Sequence, residues 1–376
     1  MTNLSLAAKI FQPLETSTSI GMFARDTGGC LVPKLAVSRS IDEARELTFV
    51  EASESAIFYF SITPIAMMFS ALASKLLDVK PEQLAKTIEN INQTPKNLKL
   101  AKFGKIAATF SILLPLIYGI APARNLITLS KTAKEDFVSV INLKNESNGK
   151  QNKLKIKKEA DLKAKKEAKN LLTKLAGIAT GGLALTFGII KAAKNPAIFK
   201  KLEPLLNKTV KHFDFEGNAG LSLKQLGFLI MPVSIGSYFA ACRDRFEVLE
   251  NIQRFCITIP MMFFGQDIVE KNIYKFFDKK WGSTLALNKG ISTYKEILEM
   301  PVAKQIVNLK SKNWAIASAF LINTSAIALA VGILNRISTK RRYLAQQKTN
   351  CSNKHNNDII QWQNHLKQTR IRLGNS

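Results

Sequence analysis

Residues 313–335 read NWAIASAFLINTSAIALAVGILN, 23 positions without a charged side chain. A helix of that length rises about 35 Å, enough to cross a hydrocarbon core of about 30 Å. Its nine Ile, Leu, Val and Phe side chains favour insertion by about 3–5 kcal/mol, less the cost of Asn323. Trp314 stands at one end. Arg336, Lys340, Arg341, Arg342 and Tyr343 follow the other, the aromatic and basic residues that anchor a spanning helix at its two interfaces.

Working outward, further charge-free runs cover residues 55–74, 106–123, 175–190, 225–242 and 255–266. Pro64, Pro115, Pro232 and Pro260 interrupt them, so the first is expected to kink or divide. The third is short for a span and the fifth too short to cross alone. Lysine-rich connectors separate the runs, which is why mean hydropathy is near zero although apolar and charged residues are segregated. A soluble helical protein with these runs as its core is the alternative. The 20- and 23-residue runs argue against it.

These observations predict an all-α, polytopic integral membrane helical bundle with four to six membrane segments and a tandem internal repeat. The expected divisions are a first membrane unit over 1–143, a basic linker or helix over 144–170, and a central hairpin over 171–242. A second membrane unit over 243–335 and a basic cytoplasmic tail over 336–376 complete the chain.

The repeat rests on a spacing of 196 residues that relates Glu51 to Glu247, Glu54 to Glu250, Tyr59 to Phe255 and Pro64 to Pro260. Two units in the same orientation would form a parallel repeat, an arrangement found in transporters. Residues three apart share a helix face. The pairs Glu51/Glu54 and Glu247/Glu250 are therefore the candidate cation site, or else solvated helix-start acids with Arg45 and Arg243 as ion-pair partners. Gly177 and Gly181 have the spacing that lets two helices approach closely in lipid.

Asp214–Gln225 resembles an EF-hand calcium loop, with Asp214, Glu216, Asn218 and Ser222 at oxygen-ligand positions. Ala219 replaces its turn glycine and Gln225 its bidentate glutamate. A polar turn leading into the next apolar run is the plainer reading.

The formal charge of +26, from 54 Lys and Arg against 28 Asp and Glu, favours anionic lipid headgroups as partners over nucleic acid. The cysteines Cys30, Cys242, Cys256 and Cys351 lie far apart and lack zinc spacing, so free thiols are expected. His212, His355 and His365 make no metal spacing, and the chain has no GxSxG, HExxH or Walker motif. No enzyme activity and no cofactor are expected. The N-terminus lacks the apolar core of a secretory signal. The excess of Lys and Arg points to an inner or cell membrane with both termini cytoplasmic. Two functions remain: movement of a small solute between two repeat units, or a non-catalytic scaffold that holds anionic lipid or a partner through its basic connectors.

Overall fold

The computed structural model describes residue 23 and residues 25–88, 90–144, 150–215, 225–261, 266–287 and 290–374. The fold is all-α. The short lead helix α1 (Val32–Ala36) follows a π-helical turn, Arg25–Leu31. Next come α2 (Ile41–Leu77), α3 (Pro81–Ala85), α4 (Lys96–Thr132) and α5 (Phe137–Val140). The central pair is α6 (Lys150–Ala192) and α7 (Pro196–Phe213). The second half holds α8 (Gly227–Ala240), α9 (Arg245–Pro260) and α10 (Gln266–Trp281). A two-residue β-ladder, β1 (Ala286–Leu287) on β2 (Gly290–Ile291), precedes α11 (Tyr294–Leu298), α12 (Val302–Ala319) and α13 (Ile327–Gly374).

Among the described residues three helices are long and apolar enough to cross a membrane: α2, α4 and residues Leu154–Ala192 of α6. Helix α8 is a shorter apolar one. The 313–335 run lies on one helical path, from α12 through a π-helical turn at Phe320–Ala326 into α13.

Pro64 does not divide the first run. The backbone widens to a π-helical turn over Ala56–Ser61 and then resumes as α-helix with Pro64 in its first turn. A widened turn absorbs the missing N–H that would otherwise break the ladder. The 175–190 run is only 16 residues, but the helix that carries it is long enough to cross, because the lysine-rich stretch before it continues the same helix.

Helices α4 and α6 pack antiparallel, with Gly104 against Ile190, Gly119 against Leu175 and Gly182 against Ser111. A Cβ on Gly182 would stand 2.6 Å from Ser111 Oγ, so only glycine permits this approach. Gly177 and Gly181, expected to be the packing glycines, face open space. The period of a helix explains the shift, since Gly182 lies about 100° round from Gly181.

The main apolar core joins α2, α4, α6 and α7 through residues such as Ile62, Ala66, Leu100, Leu113, Ile190 and Leu206. A second, around Tyr274, Phe277, Leu285, Tyr294 and Ile297, joins α10, α11 and α12. Outward-facing Met67, Leu72, Ile178, Leu185, Leu321 and Ile322 remain exposed, as the lipid-facing side of a spanning helix would be.

Candidate functional site: a buried arginine–glutamate clasp

The helices α2 and α9 begin alike. Ser40 caps α2 by accepting the Glu43 N–H, and Asp244 caps α9 by accepting those of Phe246 and Glu247. An arginine precedes each cap, and a glutamate three residues after the cap turns back onto it. Glu43 accepts the backbone N–H of Arg39 at 2.5 Å, and Glu247 that of Arg243 at 2.8 Å. Each arginine Nε also donates to its own glutamate, at 3.1 Å in both cases.

The guanidinium tips then cross over. Arg39 Nη1 and Nη2 donate to the two oxygens of Glu250 at 2.6 and 3.1 Å. Arg243 Nη1 and Nη2 donate to those of Glu46 at 2.6 and 2.9 Å. Each start of a helix therefore grips the other through a bidentate fork, the strongest protein ion-pair geometry. Arg124 of α4 adds a third guanidinium, 2.6 Å from Glu247 and 3.7 Å from Glu46. On the opposite side the Thr339 hydroxyl of α13 donates to Glu250 at 2.5 Å.

Helix α5 is stitched into the middle. Asp244 Oδ2 accepts the N–H groups of Phe137 and Val138, and Ser40 Oγ donates to the Val140 carbonyl. The Phe137 ring carries both guanidinium groups, with Arg39 5.3 Å and Arg243 5.7 Å from its centroid. Cation–π contact suits a desolvated arginine pair because the ring face is electron-rich.

The carboxylates are buried: Glu247 is 2% and Glu46 6% exposed. Burial alone would raise the Glu247 pKa, but Arg124 and Arg243 outweigh it and hold the group at about 2. Burial pulls Arg39 and Arg243 down, and their glutamates more than offset this, so both stay charged. A carboxylate so strongly held is a poor proton acceptor at neutral pH. The clasp is built to fix charges in place.

One turn deeper, Lys34 pairs with Glu51 and the Tyr238 hydroxyl donates to Glu54 at 3.2 Å. Arg254 lies over the Tyr238 ring at 4.7 Å and donates to Asn251. Thus Glu51 and Glu54 do not join Glu247 and Glu250 in one cluster. Glu43 and Glu46 do. Arg243 pairs with Glu247 and with Glu46. Arg45 is not a partner of the paired glutamates: it bonds Asp42 on the outer face. Arg39 holds the place assigned to it.

Arg39, Glu43, Glu46 and Arg124 were not expected from sequence. The signal was available in the pattern R-[S/D]-x-x-E-x-x-E, present at Arg39–Glu46 and again at Arg243–Glu250. Its two occurrences are 204 residues apart, whereas Pro64 and Pro260 are 196 apart.

At the other end of α4, Lys99, Lys102 and Lys105 are buried. Lys99 pairs with Glu203 at 2.7 Å and Lys102 with Asp214 at 2.9 Å. Lys105 donates to the Leu84 and Phe215 carbonyls. Asp214, the first position of the calcium-loop pattern, also accepts the Ile88 N–H. Gln225 turns its amide to the Asp214 carbonyl, while Glu216, Asn218 and Ser222 lie outside the described residues. Among the described residues no group of three His, Cys, Asp or Glu stands together as a metal site. Among the described residues Cys30, Cys242 and Cys256 form no disulfide.

No family model matches the chain, and no curated protein or solved structure matches it.

Proposed function

We propose that this chain is a non-catalytic, multi-pass membrane scaffold that holds anionic headgroups against the clasp side of its bundle. The observation that carries this reading is the composition of α6. Its 43 residues run without interruption from an apolar length to an exposed lysine length. Antiparallel pairing sets Leu175 beside Gly119 and Asp161 beside Ser130, so the lysines begin where α4 leaves its apolar run. Lys163, Lys165, Lys166 and Lys169 precede the charge-free run 175–190 by about two to four turns, which would set them at headgroup depth. Arg336, Lys340, Arg341 and Arg342 leave α13 at the same level as Thr339 of the clasp. Juxtamembrane basic residues each gain about 1 kcal/mol from an anionic leaflet, and positive charge marks this side as cytoplasmic.

The test is lipid selectivity. The full chain is reconstituted in bilayers of mixed phosphatidylcholine and phosphatidylglycerol, and the lipid retained on mild extraction is identified by mass spectrometry. Enrichment of phosphatidylglycerol, lost when these four lysines of α6 become glutamine, is expected. Equal retention of both lipids overturns the reading.

Movement of a small solute between two repeated units is the second reading. The crossed arginines favour it, because they join two comparable halves at one end only. The cavity between Phe69, Leu72, Leu76, Gly104 and Phe187 is apolar, with about 10 Å³ of room, so a path would have to open beside Glu54 and Arg254. Water access to cysteines placed at those positions would support it.

A further inference from the structure

We infer that residues 25–132 and 226–340 are two copies of one unit, docked on each other through a self-complementary surface about a pseudo-two-fold axis near Phe137. Each copy has the following parts in the same order, while the connectors to the long helices differ, α3 in the first and the β-ladder with α11 in the second. A π-helical turn leads into a helix with proline at its second position, Pro33 or Pro232. A four-residue link follows, Val37-Ser38-Arg39-Ser40 or Ala241-Cys242-Arg243-Asp244. The clasp helix begins at Ile41 or Arg245. The following helical segment closes at Leu77 or Trp281. The next residue is left-handed in both copies, Asp78 at φ 51° and Gly282 at φ 67°. A long helix carrying Asn-Leu-Lys ends the unit, at Asn97–Lys99 or Asn308–Lys310.

The spacing is 204 residues for the links, the clasp glutamates and the left-handed residues, not the 196 suggested by the prolines. It is 199 at the lead prolines, and the five-residue difference is the extra length of the part of α8 beyond its π-helical turn Leu226–Ile230, Met231–Ala240 with 10 residues against 5 in α1. On the long helices it is 211, relating Thr128 to Thr339, both buried.

Packing repeats as well. Within each unit the clasp helix and its continuation lie on the unit's own long helix: α2 on α4, and α9 with α10 on α13 and α12. The lead helices do the opposite. The Arg25–Leu31 turn and α1 pack on Phe320–Ala326 and α13, while α8 packs on α4. Val37 meets Gly332. At spacings of 204 and 211 the equivalents are Ala241 and Ala121, which share one buried cluster. The lead helices and the arginines are thus both exchanged, the arrangement of an isologous dimer joined into one chain. Helices α6 and α7 lie between the copies in sequence and have no counterpart.

The experiment uses the full chain with Cys30, Cys256 and Cys351 replaced by alanine, and reads the maleimide labelling rate of Cys242, which adjoins Arg243. Arg39→Glu should raise that rate by about a hundredfold, since a buried charge is stripped of its partner. Adding Glu250→Arg should return it to within about threefold, because one guanidinium again serves two carboxylates. The mirror pair Arg243→Glu with Glu46→Arg should behave the same way. The within-unit pair Arg39→Glu with Glu46→Arg should not rescue.

A transplant guards against simple misfolding. Residues 39–46 are replaced by the octapeptide of 243–250, through Ser40→Asp, Ile41→Arg, Asp42→Phe, Ala44→Val and Arg45→Leu. This chain should keep the parental labelling rate. Rescue by the within-unit pair, rescue on one side only, or an open clasp in the transplant would each overturn the inference.

Discussion

Arg39→Ala should cost this protein more than Arg243→Ala, although the two arginines make matching contacts. Removing Arg243 leaves Glu247 and Glu46 with Arg124, at 2.6 and 3.7 Å. Removing Arg39 leaves Glu43 without its guanidinium and Glu250 with only the Thr339 hydroxyl among the bonds described above. The residue of α13 that corresponds to Arg124 is Asn335, which carries no charge. Breaking a buried pair by removing one partner costs about 3–5 kcal/mol. Arg39→Ala should reach that range, whereas Arg243→Ala should stay near 2 kcal/mol, the order expected when one charged hydrogen-bond partner survives. Denaturant unfolding in detergent, followed by circular dichroism, gives both values. The triple variant Arg39→Met, Glu43→Gln and Glu250→Leu should recover most of the loss, since no carboxylate that Arg39 served is left uncompensated. Equal costs for the two arginines, or a cost below about 1 kcal/mol for Arg39, would refute the view that these charges hold the helix starts together.

Acid should loosen the clasp through Glu247, whose pKa falls from 4.5 to about 2 on folding. A depressed carboxylate adds stability that is complete above the unfolded value and lost as pH falls through the folded one. The loss, about 3 kcal/mol from this group, should therefore appear between about pH 4.5 and 2 in unfolding midpoints, and Glu247→Gln should flatten that limb. Phe137→Leu removes the ring that both arginines share and should cost about 1–2 kcal/mol by the same unfolding assay. Gly182→Val should push α6 off Ser111 and lower the unfolding midpoint. Gly177→Ala meets open space and should be neutral or stabilising by up to about 1 kcal/mol.

The helical content and the apolar lengths of α2 and α4 were legible because hydropathy and helix length are local properties. Even so, the π-helical turn ahead of Pro64 was not, since proline signals a break but not the widening that absorbs it. The clasp was half legible. Glu247, Glu250 and Arg243 stood out as a helix-start group, yet acids in a first turn are ordinarily solvated by dipole logic alone. What buries them is the meeting of two helix starts distant in sequence, which no window around either one contains. Glu51 and Glu54 drew attention by matching the proline spacing. Two prolines inside apolar runs say less about kinship than a repeated arginine, cap and paired glutamates. Gly177 and Gly181 show the reverse limit: spacing identifies a stripe of small residues, and only the docked neighbour decides which stripe is used.

The crossed lead helices bear on how a ribosome can deliver this chain. The Arg25–Leu31 turn and α1 rest on Phe320–Ala326 and α13, about 300 residues later. At about 5–20 residues per second the earliest segment waits roughly 15–60 s for its seat to be synthesised. For roughly the first two thirds of that interval Arg39 has no Glu250 to meet, and the nascent first half must be sheltered by lipid, chaperone or insertion machinery until the last helix arrives to close it.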